Sequence, residues 1–135
     1  MSTCHSIYSY LTPTLNHLQR VNEPGQANMT PEAACATWKD AIQPLAAKGY
    51  TLGSPCSSGN PNGIPWMKKF FECCADCTID FMTVHWYDID LDNFKSWVQR
   101  WHDEFDGRDV MVTEFAVQVC AKISGYYFLL FFIVF

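Results

Sequence analysis

Between Asn28 and Ala116 two hydrophobic periodicities take turns along the chain. The stretch NMTPEAACATWKDAIQPLAAKGY sets Ala34, Trp38, Ala41, Ile42 and Leu45 on one face at helical spacing. Thr30 suits an N-cap, Pro31 the first helical position and Gly49 a C-terminal stop. Pro44 predicts a kink or a tightened last turn, because its nitrogen cannot donate. A short strand, YTLGSP, is expected next and ends at proline. NPNGIPWMKKFFECCADC repeats the scheme: Asn62-Gly63 breaks the chain, Pro65 opens a helix, and Trp66, Met67, Phe70, Phe71 and Cys74 form its stripe. TIDFMTVHWY, rich in β-branched and aromatic residues, is the strongest strand signal. Asp90 then caps a helix striped by Phe94, Trp97, Val98, Trp101 and Phe105 and stopped by Gly107. DVMVTEFA reads as the last strand.

Each strand-plus-helix unit takes roughly thirty residues, the length of one βαβ crossover. Alternation of this kind predicts an α/β fold, a parallel sheet with helices packed over it. At 135 residues the chain has the length of one domain, and it contains no internal repeat or long linker. A net charge of -5 leaves no basic footprint for nucleic acid or anionic membranes. The 16 % aromatic content has two readings: a large core, or rings that stack on the C–H faces of sugars. Seven cysteines is an odd count, so at least one lacks an intramolecular partner.

The chemistry-bearing residues fall at strand ends. Glu23, in Val-Asn-Glu-Pro-Gly, closes the first apparent strand, and Glu114 lies near the end of the last. Period-two alternation puts His85 and Tyr87 on one face and Trp86 on the other. The same rule predicts that Val110, Val112 and Glu114 share a face, with two apolar residues beneath the carboxylate. Two carboxylates on separate strand ends, with an imidazole and a phenol between them, form a candidate site. Taken alone, Glu23 is a solvated turn residue, His85 a hydrogen-bonded core histidine and Trp66 part of a helix core. Cys-Cys-Ala-Asp-Cys lacks the second ligand pair that a zinc site needs.

The segments beginning at Asn-Glu-Pro, then LAAKGYTLGSP, IPWMKKFFECCADCTIDFMTVHWY and VMVTEFA, in this order, resemble the catalytic core of the alkali-sensitive-linkage type fungal glycoside hydrolases, glycoside hydrolase family 128. The resemblance runs from about Asn22 to Ala116 and implies a (β/α)8 barrel, with catalytic groups at the C-terminal strand ends. It implies a retaining β-1,3-glucanase acting on the glucan of fungal walls without a metal or organic cofactor, with activity impaired in this chain because half of the barrel that would hold the site is missing. By that match Glu23 is the general acid/base and Glu114 the nucleophile. Asn22 would contact the sugar 2-hydroxyl, His85 and Tyr87 would line the site, and Trp66 would be core or a glucan subsite. Retention needs the two carboxyl groups ~5–5.5 Å apart. The resemblance also implies a Cys74–Cys77 disulfide, as in secreted members, with Cys73 as a surplus neighbour. Three free thiols are the alternative for a chain that stays in the cytosol.

A full barrel takes ~250 residues, so about four strands and three helices correspond to roughly strands four to seven. The resemblance therefore implies a chain truncated at both ends. The expected organisation is a non-family segment over 1–20, a partial barrel core over 21–118 and an apolar non-family tail over 119–135. The first twenty residues lack a signal-peptide pattern, whereas the resemblance implies an extracellular or cell-wall location. The tail GYYFLLFFIVF is too short for the ~20 residues of a spanning helix. Exposed sheet edges and this tail make self-association an expectation, and a non-catalytic glucan-binding or wall-associated fragment is the alternative function.

Overall fold

The structure, a computed structural model, describes residues 20–88, 90–116 and 133–134. The first helical segment begins with α1 (Pro31–Thr37), capped by the Thr30 hydroxyl, which accepts from the Ala33 N–H at 3.2 Å. It widens into a π turn over Trp38–Ile42 and tightens into a 3-10 turn over Gln43–Lys48. Pro44 accounts for the change, since it has no N–H to bond the carbonyl of Asp40. The Gln43 N–H bonds Trp38 O instead, one residue further back than in an α-helix. Gly49 ends the segment in the left-handed region at φ 84°, where a side chain is strained.

Helix α2 spans Gly63–Cys73 and starts two residues before the proline expected to open it. Pro65 still sits in the first turn, where its missing N–H costs nothing. Gly63 is required at that start: a Cβ there would lie 2.3 Å from Ser57 Oγ. Cys35–Cys73 joins α1 to α2, and Cys74–Cys77 closes the turn after α2. Cys73 is thus not a surplus thiol; packing of the two helices brings Cys35 to it. Cys56 is buried and belongs to neither of these bridges.

Strand β1 (Met82–Tyr87) pairs in parallel with β2 (Val110–Ala116), and α3 (Leu91–Glu104) crosses between them. Asp90 caps α3, accepting from the Asp92 and Asn93 N–H groups at 2.8 and 3.0 Å. Phe94, Val98, Trp101 and Phe105 are buried beneath it. The expected strand at YTLGSP forms only one isolated parallel bridge, Gly53 to Phe81, and a second, Ser57 to Val84, follows just past it. Pro55 cannot donate, and the Ser54 side chain takes ladder duty: its Oγ accepts from the Thr83 N–H at 2.9 Å. Gly53 allows the close approach, because a Cβ there would lie 2.5 to 2.7 Å from the Phe81 and Thr83 side chains. Further out, the Val21 N–H bonds Cys56 O at 3.2 Å. The lateral order is therefore Val21, the 53–57 segment, β1 and β2, in chain order.

Register along the β1–β2 pair is interrupted once. Val84 faces Val112, but His85 faces Glu114, so Thr113 is an extra residue. This overturns the expected face-sharing of Val110, Val112 and Glu114. Val110 lines a cavity against Phe94 and Val98 of α3, and Val112 shares its face by unbroken alternation. Glu114 instead lies with His85 and Tyr87, opposite Trp86, which packs on Phe94 and Trp97 at 5.7 and 5.0 Å. Of the apolar tail, the structure describes only β3 (Ile133–Val134), antiparallel to β2 beside Val112 and Met111. The remaining tail residues and the 1–19 segment lie outside the described residues. Among the described residues no helix is long and apolar enough to cross a membrane.

Candidate active site

Asn22 is 7 % exposed, and every hydrogen-bonding position of its side chain is used. Its Oδ1 accepts from Ser57 Oγ at 3.2 Å and from the Ser58 N–H at 3.0 Å. Its Nδ2 donates to Ser58 Oγ at 3.0 Å and to Asn62 Oδ1 at 2.8 Å. Asn62 Nδ2 returns a bond to Asn22 O at 3.2 Å. The amide therefore staples the 57–62 loop to the turn that carries Glu23. Ser58 passes the bond on by donating to Glu23 Oε1, which also accepts from Asn60 Nδ2. Glu23 is thus aimed by the loop that follows the 53–57 segment.

Glu114 is held by a second set. The Tyr87 hydroxyl and Arg20 Nη2, the latter at 2.8 Å, both donate to its Oε2. Arg20 Nε donates to His85 Nδ1 at 3.2 Å, and Nδ1 lies 3.3 Å from the same carboxylate oxygen. The guanidinium fork therefore spans two acceptors and keeps them together. Its carbon lies 4.8 Å from the Tyr87 ring centre, a cation–π contact.

The protonation states agree with these bonds. Burial, at 2 % exposure, pushes the His85 imidazole down to about 4, with Arg20 acting the same way against the opposing pull of Glu114. Neutral His85 can accept from Arg20 at Nδ1. Burial tends to raise Glu114, but the Tyr87 hydrogen bond, the neighbouring His85 and Arg20 together hold it below the usual carboxylate range. Burial, and then the bond to Glu114, push Tyr87 up to about 12, so it stays a donor. The site thus presents an ionised carboxylate fixed by two donors, and a second carboxyl group fixed by the 58–60 loop.

Glu23, Arg20 and Tyr87 open on one groove of about 800 Å3. Trp66 is not among the residues that line it. Its indole N–H donates to Met29 O at 2.8 Å and its ring stacks on Phe70 with centroids 5.8 Å apart. Arg20, Ser58, Asn60 and Asn62 are site residues that the sequence reading passed over. The polar run Ser-Ser-Gly-Asn at 57–60, following a strand-like segment, carried a legible signal for two of them. Nothing near Arg20 in sequence announces a partner 94 positions away. Among the described residues no cluster of His, Cys, Asp and Glu could hold a metal ion.

The family model described as a glycosyl hydrolase catalytic core matches residues 4–125, extending past both ends of the 21–118 segment. Alkali-sensitive linkage protein 1 of Schizosaccharomyces pombe is 40 % identical over 75 residues, 56 % of this chain and 13 % of that protein. A curdlan-specific exo-β-1,3-glucanase of Blastomyces gilchristii, family 128 subgroup III, was solved with glucose. It superposes with a TM-score of 0.67 at 37 % identity, over 76 % of this chain and 47 % of that one. A subgroup VI exo-β-1,3-glucanase of Aureobasidium namibiae gives a TM-score of 0.66 at 29 % identity, over 73 % of this chain and 40 % of that one. The chain thus spans less than half the length of each of these relatives. The chain belongs to the glycosyl hydrolase catalytic core family, and its core is of the family 128 type.

Proposed function

We propose that this chain carries the catalytic face of a glycoside hydrolase that cleaves β-1,3-glucan with retention of configuration. One observation carries the reading: Glu114 is held ionised by Tyr87 and Arg20 at the end of β2, and the groove beside it is lined by Glu23. In this mechanism Glu114 attacks the anomeric carbon while protonated Glu23 gives its proton to the leaving oxygen. Glu23 then takes a proton from the water that releases the glycosyl-enzyme. Tyr87 and Arg20 keep the nucleophile charged and aimed, and His85 supplies a neutral wall. Asn22, whose amide protons go to Ser58 and Asn62, acts first as the strut of the Glu23 loop. A sugar 2-hydroxyl would have to replace one of those partners.

The family 128 structures that the chain resembles, two exo-β-1,3-glucanases among them, support the substrate class. The chain-order arrangement of Val21, 53–57, β1 and β2 supports a partial (β/α)8 barrel, roughly strands four to seven within the 21–118 core. The antiparallel β3 stands outside that pattern. The two disulfides suit an oxidising compartment, which supports an extracellular or cell-wall location. A second reading, glucan binding without cleavage, is favoured by the aromatic lining of the groove, Trp86 and Trp97, which can stack on sugars without any part played by the carboxylates.

Hydrolysis of laminarin by the wild-type chain and by Glu23→Gln and Glu114→Gln tests the proposal. Cleavage lost in both variants is the expected result. Binding with no cleavage by the wild type would favour the second reading.

A further inference from the structure

The groove continues past Glu23. From Glu23 and Tyr87 it runs over Ser58–Asn60 and onto α3, where Asn93, Ser96, Trp97 and Arg100 line its far wall. Their spacing of three, four and seven residues makes them one stripe of the helix. Asn93, Ser96 and Arg100 are exposed, and they lie beside the buried stripe that holds α3 to the sheet. Trp97 joins the two stripes. Trp86 at 5.0 Å and Trp101 at 5.9 Å pack it from below, and it stays partly exposed on the groove wall.

We propose that this stripe is an outer binding site for the portion of a β-1,3-glucan chain that extends beyond the Glu23–Glu114 centre, an inference that rests on the functional reading above. The chemistry matches a sugar: an aromatic ring for the C–H faces, with an amide, a hydroxyl and a guanidinium for the hydroxyls. The charge matches as well. Arg20 is paired with Glu114 at 2.8 Å and Arg100 with Glu104 at 3.7 Å, so both cations that line the groove are already compensated. That suits a neutral polyol and offers a polyanion no net attraction. The volume of about 800 Å3 lies in the upper part of the ~300–1,000 Å3 range of small-molecule sites, leaving room for more than the unit at the carboxylates.

The test is calorimetric titration of the full chain with laminaritriose and laminarihexaose, in a Glu114→Gln background throughout so that neither sugar is cleaved and only α3 differs between the proteins compared. The parent, with α3 unaltered, binds the hexaose more tightly. In the Asn93→Ala/Arg100→Ala double variant the hexaose-to-triose affinity ratio is expected to fall about tenfold, the loss of a few hydrogen bonds. Lys95→Ala, on the opposite flank of α3, controls for helix stability and leaves the ratio unchanged. An unchanged ratio in the double variant, with both sugars still bound, overturns the outer site alone. Failure of the parent to bind either sugar overturns the outer site together with the glucan reading.

Discussion

Arg20 donates from Nη2 to Glu114 Oε2 at 2.8 Å, linking residues 94 positions apart in sequence. The same guanidinium reaches His85 Nδ1 at 3.2 Å. The cation therefore adds to burial in keeping His85 neutral and to the Tyr87 hydrogen bond in keeping Glu114 charged. Glu114 is 30 % exposed at its side chain, so the bond works partly out of bulk water, where charge-assisted hydrogen bonds are strongest.

Removing either donor to Glu114 should raise its pKa. Tyr87→Phe deletes the foremost hydrogen bond holding the carboxyl down, and Arg20→Ala deletes the cation. Because the folded-state pKa is depressed, the stability it confers is present above the ordinary carboxylate range and is lost as pH falls through the folded value. Each variant should therefore be less stable near neutral pH, lose less stability on acidification than the wild type, and move the acidic limb of kcat/KM on laminarin upward. Carbon-13 titration of the Glu114 carboxyl reads the shift directly, and an unmoved titration in both variants would refute the assignment.

His85 predicts a separate pH dependence. Its pKa falls from 6.5 to about 4 on burial, so the unfolded chain takes up the proton first. Stability is then highest above 6.5 and declines as pH drops toward about 4, by about 3 kcal/mol when fully expressed. Urea denaturation at several pH values between these limits should show this decline. His85→Gln should flatten it, and an equal slope in the variant would assign the effect to other groups.

Trp101 is fully buried, and its Nε1 has no hydrogen-bond partner among the described residues. Its contribution is then packing, including the stack on Phe105 at 5.3 Å. Trp101→Phe, which also removes the unpartnered N–H, is expected to cost only about 1 kcal/mol. Trp101→Ala should cost about 3–5 kcal/mol. Thermal and chemical unfolding of both variants decide the matter, and similar losses would mean that the indole N–H is bonded.

The two disulfides should contribute unequally. Cys35–Cys73 spans 38 positions and Cys74–Cys77 only 3. Loop-closure entropy assigns about 4 kcal/mol to the first and about 1.6 kcal/mol to the second. The paired variants Cys35→Ser/Cys73→Ser and Cys74→Ser/Cys77→Ser, compared by chemical denaturation, should reproduce that order.

Local chemistry was legible in the residues themselves. Thr30, Asp90 and Gly49 act through atoms within a few positions, so their capping roles could be read without knowing the rest of the chain. Alternation in β1 correctly set His85 and Tyr87 apart from Trp86, since a strand has period two whatever it pairs with. The same rule failed on β2, because the extra residue at Thr113 depends on the register with β1. A bulge is a property of a pair of strands and has no signature in one of them. The Ser54 hydroxyl in place of a ladder bond, the Asn22–Asn62 staple and the Cys35–Cys73 bridge have the same origin. Arg20 is the clearest case. Its side chain is polar and ordinary in sequence, and only the close approach of segments 65 and 94 positions away turns it into the clamp on His85 and Glu114. Short-range hydrogen bonds and periodicity were written in the chain, whereas contacts made by packing distant segments existed only once the sheet had formed.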